Sequence, residues 1–262
     1  MKQPDSETIH RILSVDPVWG AYALADLQPD FAPYCRWHVS ESTHGSAVVL
    51  VFTGLELPTL FAAGPAEAVA DAVAQVDLPD EVYITVREEH FDHVSSLYDF
   101  SNDRRPMWRL ALPDAVAYAK VDTPGLRRLV GADSEALRDL YRHGGAFSPD
   151  AFEPYQVDNG VFFGVDNEAG ELVASGGTHI VDWSQGIGAI GNMYTRPDCR
   201  GQGHAAAVLR AIVLALRAGN VSNIVLNVDQ RNEAARRLYE KYGFEVHCPY
   251  VEGIGQRRRI NN

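Results

Sequence analysis

The chain of 262 residues is poor in cysteine and has no long apolar run. Its three cysteines, Cys35, Cys199 and Cys248, are odd in number and widely spaced. This spacing argues against a disulfide framework and a paired metal site, and it fits a reducing compartment. The apolar stretches fall well short of the ~20 residues that span a bilayer, and the first residues lack the layout of a secretory signal. We therefore expect a cytoplasmic protein without a membrane partner.

Basic residues are also scarce relative to acidic ones. The chain has 23 lysines and arginines against 35 aspartates and glutamates, a formal net charge of −12. A protein that binds nucleic acid normally carries a basic stripe, and the only marked basic run here is Arg257, Arg258 and Arg259 near the end. We expect that run to be a solvated tail. The charge balance therefore argues against a nucleic-acid partner.

Apolar residues are abundant enough to form a packed core. Hydrophobic residues make up 46% of the chain, and its length suggests one or two domains. Pro113 and Asp114 give a turn signal, and Pro124 and Gly125 give another shortly afterwards. These signals predict two domains, at residues 1–123 and 124–262.

The most informative segment is the stretch RGQGHA at residues 200–205. Upstream, residues 187–195 predict a strand that Pro197 ends, because proline cannot donate a ladder hydrogen bond. Downstream, apolar residues at three- and four-residue spacings predict a helix that starts within the stretch and ends at Gly219. Free amides and the dipole at a helix N-terminus attract phosphate oxygens, and glycines let a ligand approach the backbone. The stretch therefore predicts a pyrophosphate site, to which Arg200 adds a charge-assisted contact.

A second motif, NEAARRLYEKYGF, occupies residues 232–244 after a strand-like apolar run. Asn232 suits the N-cap of a helix, and Gly243 suits the left-handed position after its end. Glu233 and Arg237 are spaced for an ion pair on one helix face. The motif therefore predicts a capped helix with a defined stop.

Together the two motifs resemble the GNAT superfamily of acyl-CoA-dependent N-acyltransferases. The phosphate loop of that superfamily reads R/Q-x-x-G-x-G/A, and its later helix reads N-x-x-A-x-x-L-Y-x-x-x-G-F. A mild departure is Thr195-Arg196-Pro197, which stands where V-x-P usually precedes the loop. The resemblance is firm from about residue 126 to residue 251. It implies a fold of the α/β class, with an α+β mixed sheet and helices on both faces. The first two helices are expected at residues 134–141 and 153–157.

The resemblance also implies a cofactor site for acetyl-CoA (coenzyme A) and no metal. In the superfamily, the strand before the loop splays from its neighbour, and the pantetheine arm pairs with backbone groups of that strand. The loop amides hold the pyrophosphate, and the later helix lines the pantetheine. The implied cofactor-binding residues are Met193, Tyr194, Thr195, Arg200, Gly201, Gln202, Gly203, His204, Ala205, Asn232 and Ala235.

Two residues are candidates for catalysis. Tyr239 matches the tyrosine that in many members protonates the departing thiolate, and the alternative is an aromatic side chain that packs a helix on the sheet. Many members carry a glutamate base shortly before the loop, but Ala189 stands near that place here. His179 on the neighbouring strand is a suitable base, and the alternative is a histidine bonded within the sheet or facing solvent. Glu153 and Tyr155 are weaker candidates.

The N-terminal half contains a suspected internal repeat. Two segments of this half, residues 81–86 and 91–98, are similar to two later segments, residues 223–228 and 232–239. Both pairs of segments contain a Leu-Tyr pair at nearly equal spacing. Only Gly64-Pro65 stands where a phosphate loop would lie. We therefore expect this half not to bind coenzyme A.

The opening of the chain carries a weaker resemblance. The opening segment resembles the N-terminal half of glycine N-acyltransferase-like proteins, mainly through Pro17, Trp19 and Tyr22. In those proteins a degenerate GNAT-like domain precedes the catalytic one. The alternative is an unrelated small α+β domain whose core these aromatic side chains fill.

The function implied by the resemblance is transfer of an acetyl group from acetyl-CoA to a primary amine, by direct attack in a ternary complex. The acceptor would be a small-molecule amine, a peptide N-terminus or a lysine, and a homodimer is a possible assembly. Two alternatives stay open. One is transfer of a longer acyl group to an amino acid such as glycine, and the other is a non-catalytic acyl-CoA-binding regulatory module.

Overall fold

The computed structural model describes residues 4–100, 104–149 and 152–258. These residues divide into two compact units. The first unit takes its residues from Met1–Arg109, Val228–Arg231 and Val246–Asn262, and the second takes its residues from Leu110–Asn227 and Asn232–Glu245.

This division differs from a single boundary after residue 123. The last strand of the chain, Glu245–Arg257, pairs antiparallel with Glu81–Arg87, so most of the C-terminal segment belongs to the first unit. Turn signals such as Pro124-Gly125 mark where the chain bends, whereas compact units depend on which distant strands pair. Local sequence signals do not carry that information.

Short runs of helices and strands follow one another along the described residues. In chain order they are α1 (Ser6–Leu13), α2 (Ala21–Ala25), β1 (Cys35–Ser42), β2 (Gly45–Phe52), β3 (Thr59–Ala63), α3 (Ala66–Val73), β4 (Glu81–Arg87), α4 (Glu88–Ser95), β5 (Tyr98–Asp99), β6 (Arg104–Leu112), β7 (Leu126–Arg128), α5 (Ser134–Tyr141), α6 (Tyr155–Asn159), β8 (Phe163–Asp166), β9 (Leu172–Asp182), β10 (Ile187–Thr195), α7 (His204–Ala218), β11 (Asn223–Asp229), α8 (Glu233–Lys241) and β12 (Glu245–Arg257).

The first unit is built on an antiparallel meander extended by one parallel strand. Strand β2 pairs antiparallel with β1 and β3, and β3 pairs parallel with β4 across the α3 crossover. Apolar residues from these elements form one buried cluster that includes Val49, Leu60 and Ile84. The alternating burial along β4 reflects the two faces of a strand.

The second unit repeats that plan. Strands β7, β8, β9 and β10 pair antiparallel in this order, and β10 pairs parallel with β11 across α7. Helix α7 buries the apolar stripe that its spacing predicts, including Val208, Ile212 and Leu216. The predicted mixed α/β fold is therefore confirmed, and α5 and β10 have the predicted bounds.

The suspected repeat is reproduced only in part. Residues 81–87 and 88–95 form a strand and a helix, as the repeat predicts. However, Tyr98 lies in the short strand β5, whereas Tyr239 lies within helix α8. The Leu-Tyr pairs therefore do not occupy equivalent places, because α4 ends at Ser95.

None of the helices in the described residues has the length and apolar character that crossing a bilayer requires.

Candidate active site

Strands β10 and β11 separate at one end. Their parallel register runs from Ile187 opposite Asn223 to Ile190 opposite Leu226 and ends there, although β10 continues to Thr195. Backbone groups of β10 beyond Ile190 are thus released from this pairing. The arrangement matches the splayed strand that the resemblance implies.

A β-bulge lies in the released part of β10. Gly191 pairs with Gly177 and Tyr194 with Ser175, so β10 has one residue more than β9 between these pairs. Asn192 lies within the bulge and has a φ of 54°, which few residues other than glycine and asparagine adopt easily.

The bulge is anchored from two helices. The Asn192 side-chain nitrogen donates to Oε1 of Gln156 at 2.9 Å, and the Asn192 carbonyl oxygen accepts from the Tyr141 hydroxyl at 3.1 Å. Ser175 in turn donates to that hydroxyl at 3.1 Å. Sequence reasoning missed this anchor, and the available signal was an asparagine inside an otherwise strand-forming run.

The side chains of Met193 and Tyr194 contact neighbouring residues of the second unit. The Tyr194 side chain is buried, and its hydroxyl donates to the Gly144 carbonyl oxygen at 2.7 Å. The Met193 sulfur lies where a Cβ on Gly176 would stand. Only the backbone of these two residues remains as a predicted partner for a ligand.

The glycine-rich stretch forms an open loop before α7. Gly201 and Gly203 have φ values of 77° and 84°, in the left-handed region that glycine occupies without strain. A Cβ built on either glycine would meet nothing within 4 Å. The loop therefore leaves space over its backbone.

The first turn of α7 leaves a set of amides unpaired. Among the described residues, the amides of residues 201–206 have no acceptor, and the first bonded amide is that of Ala207, which donates to the Gly203 carbonyl oxygen at 3.0 Å. Unpaired amides at the positive end of a helix dipole bind anions. These amides form a cradle that suits an anion, and its assignment to a pyrophosphate stays a prediction.

Buried polar atoms near this cradle are also left without a partner. Thr195 Oγ1, His204 Nδ1 and Asn227 Oδ1 are buried and accept or donate no hydrogen bond within the described residues. Leaving such an atom unpaired costs roughly 1–3 kcal/mol. The first two atoms belong to residues that flank the glycine loop, so polar atoms there fit a phosphate-bearing cofactor. The Arg200 guanidinium folds back, and its Nε donates to the Thr195 carbonyl oxygen at 3.1 Å.

Helix α8 has the predicted caps. Asn232 Oδ1 accepts from the Ala235 amide at 3.2 Å, and Gly243 has a φ of 85° after the helix end. Glu233 and Arg237 form the predicted ion pair at 2.8 Å. The local chemistry of the motif is therefore sufficient to define this helix.

Tyr239 is the buried side chain of α8. It is 6% exposed, and its ring lies edge-on to Phe244 with 6.0 Å between centroids. Burial raises the pKa of Tyr239 to about 12, so the hydroxyl stays protonated near neutral pH. Within the described residues its hydroxyl makes no hydrogen bond. Packing and proton donation are both compatible with this environment.

His179 lies on β9, the strand that pairs with β10 next to the bulge. An irregularity in the β9 register falls at this residue, between Thr178 and Ile180. A Cβ on Gly191 would overlap the His179 ring, so the imidazole covers the Gly191 backbone. The structure thus brings His179 to the residue that precedes Asn192. Ala189, where many relatives would carry a glutamate, is fully buried.

The weaker candidates lie at the start of α6. The Glu153 amide donates to Gln156 Oε1 at 3.1 Å, and Tyr155 is 45% exposed. Gln156 therefore links the residues just before α6 with the β10 bulge. Among the described residues, no group of three His, Cys, Asp or Glu side chains is placed to hold a metal ion.

Comparisons with known proteins match part of the sequence to one family model and the fold to several solved structures. The sequence model of the Acetyltransferase (GNAT) family matches residues 133–244. A search of curated proteins found no match.

Several solved structures share the fold along nearly the whole chain. A protein from Novosphingobium aromaticivorans described as a GNAT-family acetyltransferase is 20% identical, with a TM-score of 0.58 over 93% of this chain and 97% of that one. A Drosophila protein is 14% identical, with a TM-score of 0.70 over 97% of each chain. A tandem GNAT protein from the clavulanic acid biosynthesis pathway is 12% identical, with a TM-score of 0.58 over 100% of this chain and 98% of that one. At these identities the likeness shows the fold.

Proposed function

We propose that the protein belongs to the GNAT acetyltransferase family, whose sequence model matches residues 133–244, and that it transfers an acetyl group from acetyl-CoA to a primary amine. The observation that carries the proposal is the open cradle of unpaired amides at residues 201–206. Its shape and its positive dipole suit a pyrophosphate. The cofactor would bring the acyl group as an activated thioester.

The proposed binding residues follow from the same geometry. The amides of Gly201, Gln202, Gly203, His204 and Ala205 would hold the pyrophosphate. The β10 backbone after Ile190 would pair with the pantetheine arm. These groups would position the acyl donor in the opening where the β10–β11 register ends.

The remaining binding residues lie beside these groups. Arg200 would add its charge to the phosphates once it leaves the Thr195 carbonyl oxygen. Asn232 and Ala235 would line the pantetheine at the start of α8.

Tyr239 is the proposed general acid. Its hydroxyl carries a proton at neutral pH, as an ordinary tyrosine does, and burial raises its pKa further, to about 12. A buried phenol without a competing partner can give that proton to a leaving sulfur atom. His179 is the proposed base that takes a proton from the attacking amine, directly or through water.

We further propose that the first unit is a degenerate GNAT-like unit. Its elements follow the same order as those of the second unit: β1, β2, β3, α3, β4 and α4 correspond to β8, β9, β10, α7, β11 and α8. The paired strands also run in the same relative directions. The parallel β3–β4 register also stops early, at Phe61 opposite Thr85. The tandem GNAT relative is consistent with two such units in one chain.

In the first unit the equivalent opening is filled by side chains. Trp19 Nε1 donates to the Ala62 carbonyl oxygen at 2.8 Å, and His90 Nε2 lies 3.0 Å from the Gly64 carbonyl oxygen. A Cβ on Gly64 would stand 2.7 Å from the Ser46 carbonyl oxygen, whereas Gly203 faces open space. This contrast supports a single cofactor site per chain.

We place the reaction in the cytoplasm. Cys35, Cys199 and Cys248 are all free, which suits a reducing compartment.

The deciding experiment is calorimetric titration of the purified protein with acetyl-CoA and with longer acyl-CoAs. We expect one molecule bound per chain and acetylation of amines from a broad panel. Gly203→Glu should abolish binding, because the new carboxylate repels the pyrophosphate and enters its space. Gly170→Glu is the matched control, since Gly170 also has a positive φ of 78° and open space but lies in the β8–β9 turn.

Binding by the parent and by Gly170→Glu, with loss in Gly203→Glu, supports the cofactor site. No binding by the parent contradicts the proposed function. Binding without turnover of any amine would favour a non-catalytic acyl-CoA-binding module.

A further inference from the structure

Asn227 is the first residue of β11 beyond the register that this strand shares with β10. That register ends with Ile190 opposite Leu226. The Asn227 Oδ1 atom is buried, and it accepts no hydrogen bond within the described residues. An unpaired buried acceptor costs stability, and a native protein holds few of them. Asn227 is therefore a candidate for contact with a molecule in the opening between the two strands.

The register also fixes the face of the sheet to which Asn227 belongs. Paired residues of parallel strands share a face, and faces alternate along each strand. Gly188, which pairs with Ile224, faces α7, because a Cβ on Gly188 would stand 3.1 Å from the Leu216 side chain. Three residues further along their strands, Gly191 and Asn227 lie on the opposite face.

The imidazole of His179 lies on that same face. It covers Gly191, and Nε2 is the ring atom nearest to the place of a Cβ on this glycine. His179 is an extra residue of β9 in the pairing with β10, and a bulge of this kind redirects a side chain. The ring therefore stands over β10, and Asn227 follows on the next strand. Gly191 has no side chain of its own to stand between them.

The plane of the sheet and its face suit different ligands. Backbone groups of a strand point within the plane, so a pantetheine arm paired with β10 would lie in that plane. Side chains stand perpendicular to the plane. An amine that approaches the thioester from the His179 face would come between the imidazole and the Asn227 carboxamide. Ala189, which shares this face, offers no polar group.

We propose that Asn227 is a substrate-binding residue that holds the attacking amine, and that it makes the protein select primary over secondary amines. Its Oδ1 accepts one N–H of the amine while the nitrogen lone pair attacks the thioester carbonyl carbon. This inference rests on the proposed function, and it names a residue and a selectivity of the same site.

The reaction retains the N–H that Asn227 binds. A neutral primary amine has two N–H bonds. The C–N bond forms and the C–S bond breaks, one proton leaves the nitrogen for His179, and the departing sulfur takes one proton from Tyr239. The second N–H remains as the amide N–H of the product. A secondary amine has a single N–H and loses it in the reaction, so it leaves the Asn227 oxygen without a donor.

The test compares primary amines with their N-methyl derivatives, with acetyl-CoA as the donor. Benzylamine, n-butylamine and Nα-acetyllysine are measured against N-methylbenzylamine, N-methylbutylamine and Nα-acetyl-Nε-methyllysine. We expect Asn227→Leu to lower kcat/KM for at least one primary amine by about tenfold or more, since it deletes a hydrogen bond to the transition state. The rates with the secondary amines should change much less, so the variant loses selectivity. The acetyl-CoA dissociation constant should stay unchanged.

A second readout separates this role from a structural one. Leucine is close to asparagine in size and carries no unpaired acceptor, so Asn227→Leu should raise the urea midpoint of unfolding while activity falls. A structural asparagine would move both in the same direction. The control is Asn223→Leu on the same face of β11, where the strand pairs with Ile187 of β10. It should leave the amine selectivity unchanged.

The outcomes separate this inference from the proposed function. If Asn227→Leu lowers the rates with primary amines no more than those with their N-methyl derivatives, the inference is overturned and the proposed function stands. A weaker affinity of the variant for acetyl-CoA overturns it in favour of a cofactor contact, and a lower urea midpoint overturns it in favour of a structural role. Acetyl-CoA binding without acetylation of any of these amines overturns it as well. No binding of acetyl-CoA by the parent contradicts the proposed function and this inference together.

Discussion

The side-chain nitrogen of Asn192 lies 2.9 Å from Oε1 of Gln156, so helix α6 holds the bulge of strand β10 in a left-handed backbone conformation. The two residues are 36 positions apart in sequence. A buried side-chain pair of this kind stabilises one conformation of the bulge.

A double-mutant cycle on Asn192→Gly and Gln156→Ala should show coupling. Glycine keeps the positive φ and removes only the amide side chain, so the cycle isolates the contact. We expect a coupling free energy of roughly 0.5–3 kcal/mol in urea unfolding. Gln75→Ala, in an exposed position of the first unit, should combine additively with Asn192→Gly. Additivity for the Gln156 pair as well would mean that the contact does not stabilise the bulge.

Tyr239→Phe should lower kcat by about 100-fold or more while the acetyl-CoA dissociation constant stays unchanged. The substitution removes only the proposed proton donor. It should not destabilise the fold, because the hydroxyl has no hydrogen-bond partner among the described residues. Rates come from thiol release and stability from thermal unfolding. Tyr242→Phe is the control from the same motif, and equal rates for the two variants would assign Tyr239 to packing.

Gly191→Ala should destabilise the second unit by about 1–3 kcal/mol, because the new methyl group overlaps the His179 ring. Adding His179→Ala removes the ring and should restore part of the lost stability. Chemical unfolding of the two single variants and the double variant measures this relief. If the loss of stability in the double variant equals the sum of the two single losses, the imidazole does not lie over Gly191.

Asp26 should make the stability of the first unit depend on pH. Burial raises its pKa from 3.8 to about 7, so the folded state retains a proton that the unfolded state has lost between these values. The stabilising effect of the protonated carboxyl is complete below pH 3.8 and is lost as the pH rises through about 7. Each pKa unit corresponds to about 1.4 kcal/mol.

Asp26→Asn removes this dependence, since asparagine stays neutral. Its free energy of unfolding relative to the parent should therefore rise between pH 4 and pH 8 and level off above that range. Urea unfolding at several pH values measures the difference. A constant difference across the range would show that the Asp26 carboxyl has an ordinary pKa in the folded protein.

The helices and most strands of the second unit could be predicted from sequence, because their signals are local. The apolar spacing of α7, the Asn232 cap and the Gly243 stop involve residues within a few positions of one another. The same holds for the open glycine loop, whose positive φ values only glycine adopts easily. The acyl-CoA hypothesis rests on these local features.

The anchored bulge could not be predicted in that way. The partners of Asn192 come from α5 and α6, and nothing local links Gln156 or Tyr141 to β10.

The sequence by itself determined most helices and strands of the second unit, the open glycine loop and its likeness to a family, because backbone conformation and helix capping depend on neighbouring residues. Only the tertiary structure decided which strands pair, how the chain divides into compact units and which side chains meet at the β10 bulge. Those outcomes depend on contacts between residues far apart in sequence, such as Tyr250 of β12 opposite Arg87 of β4. Such contacts leave no local pattern, and packing alone selects them.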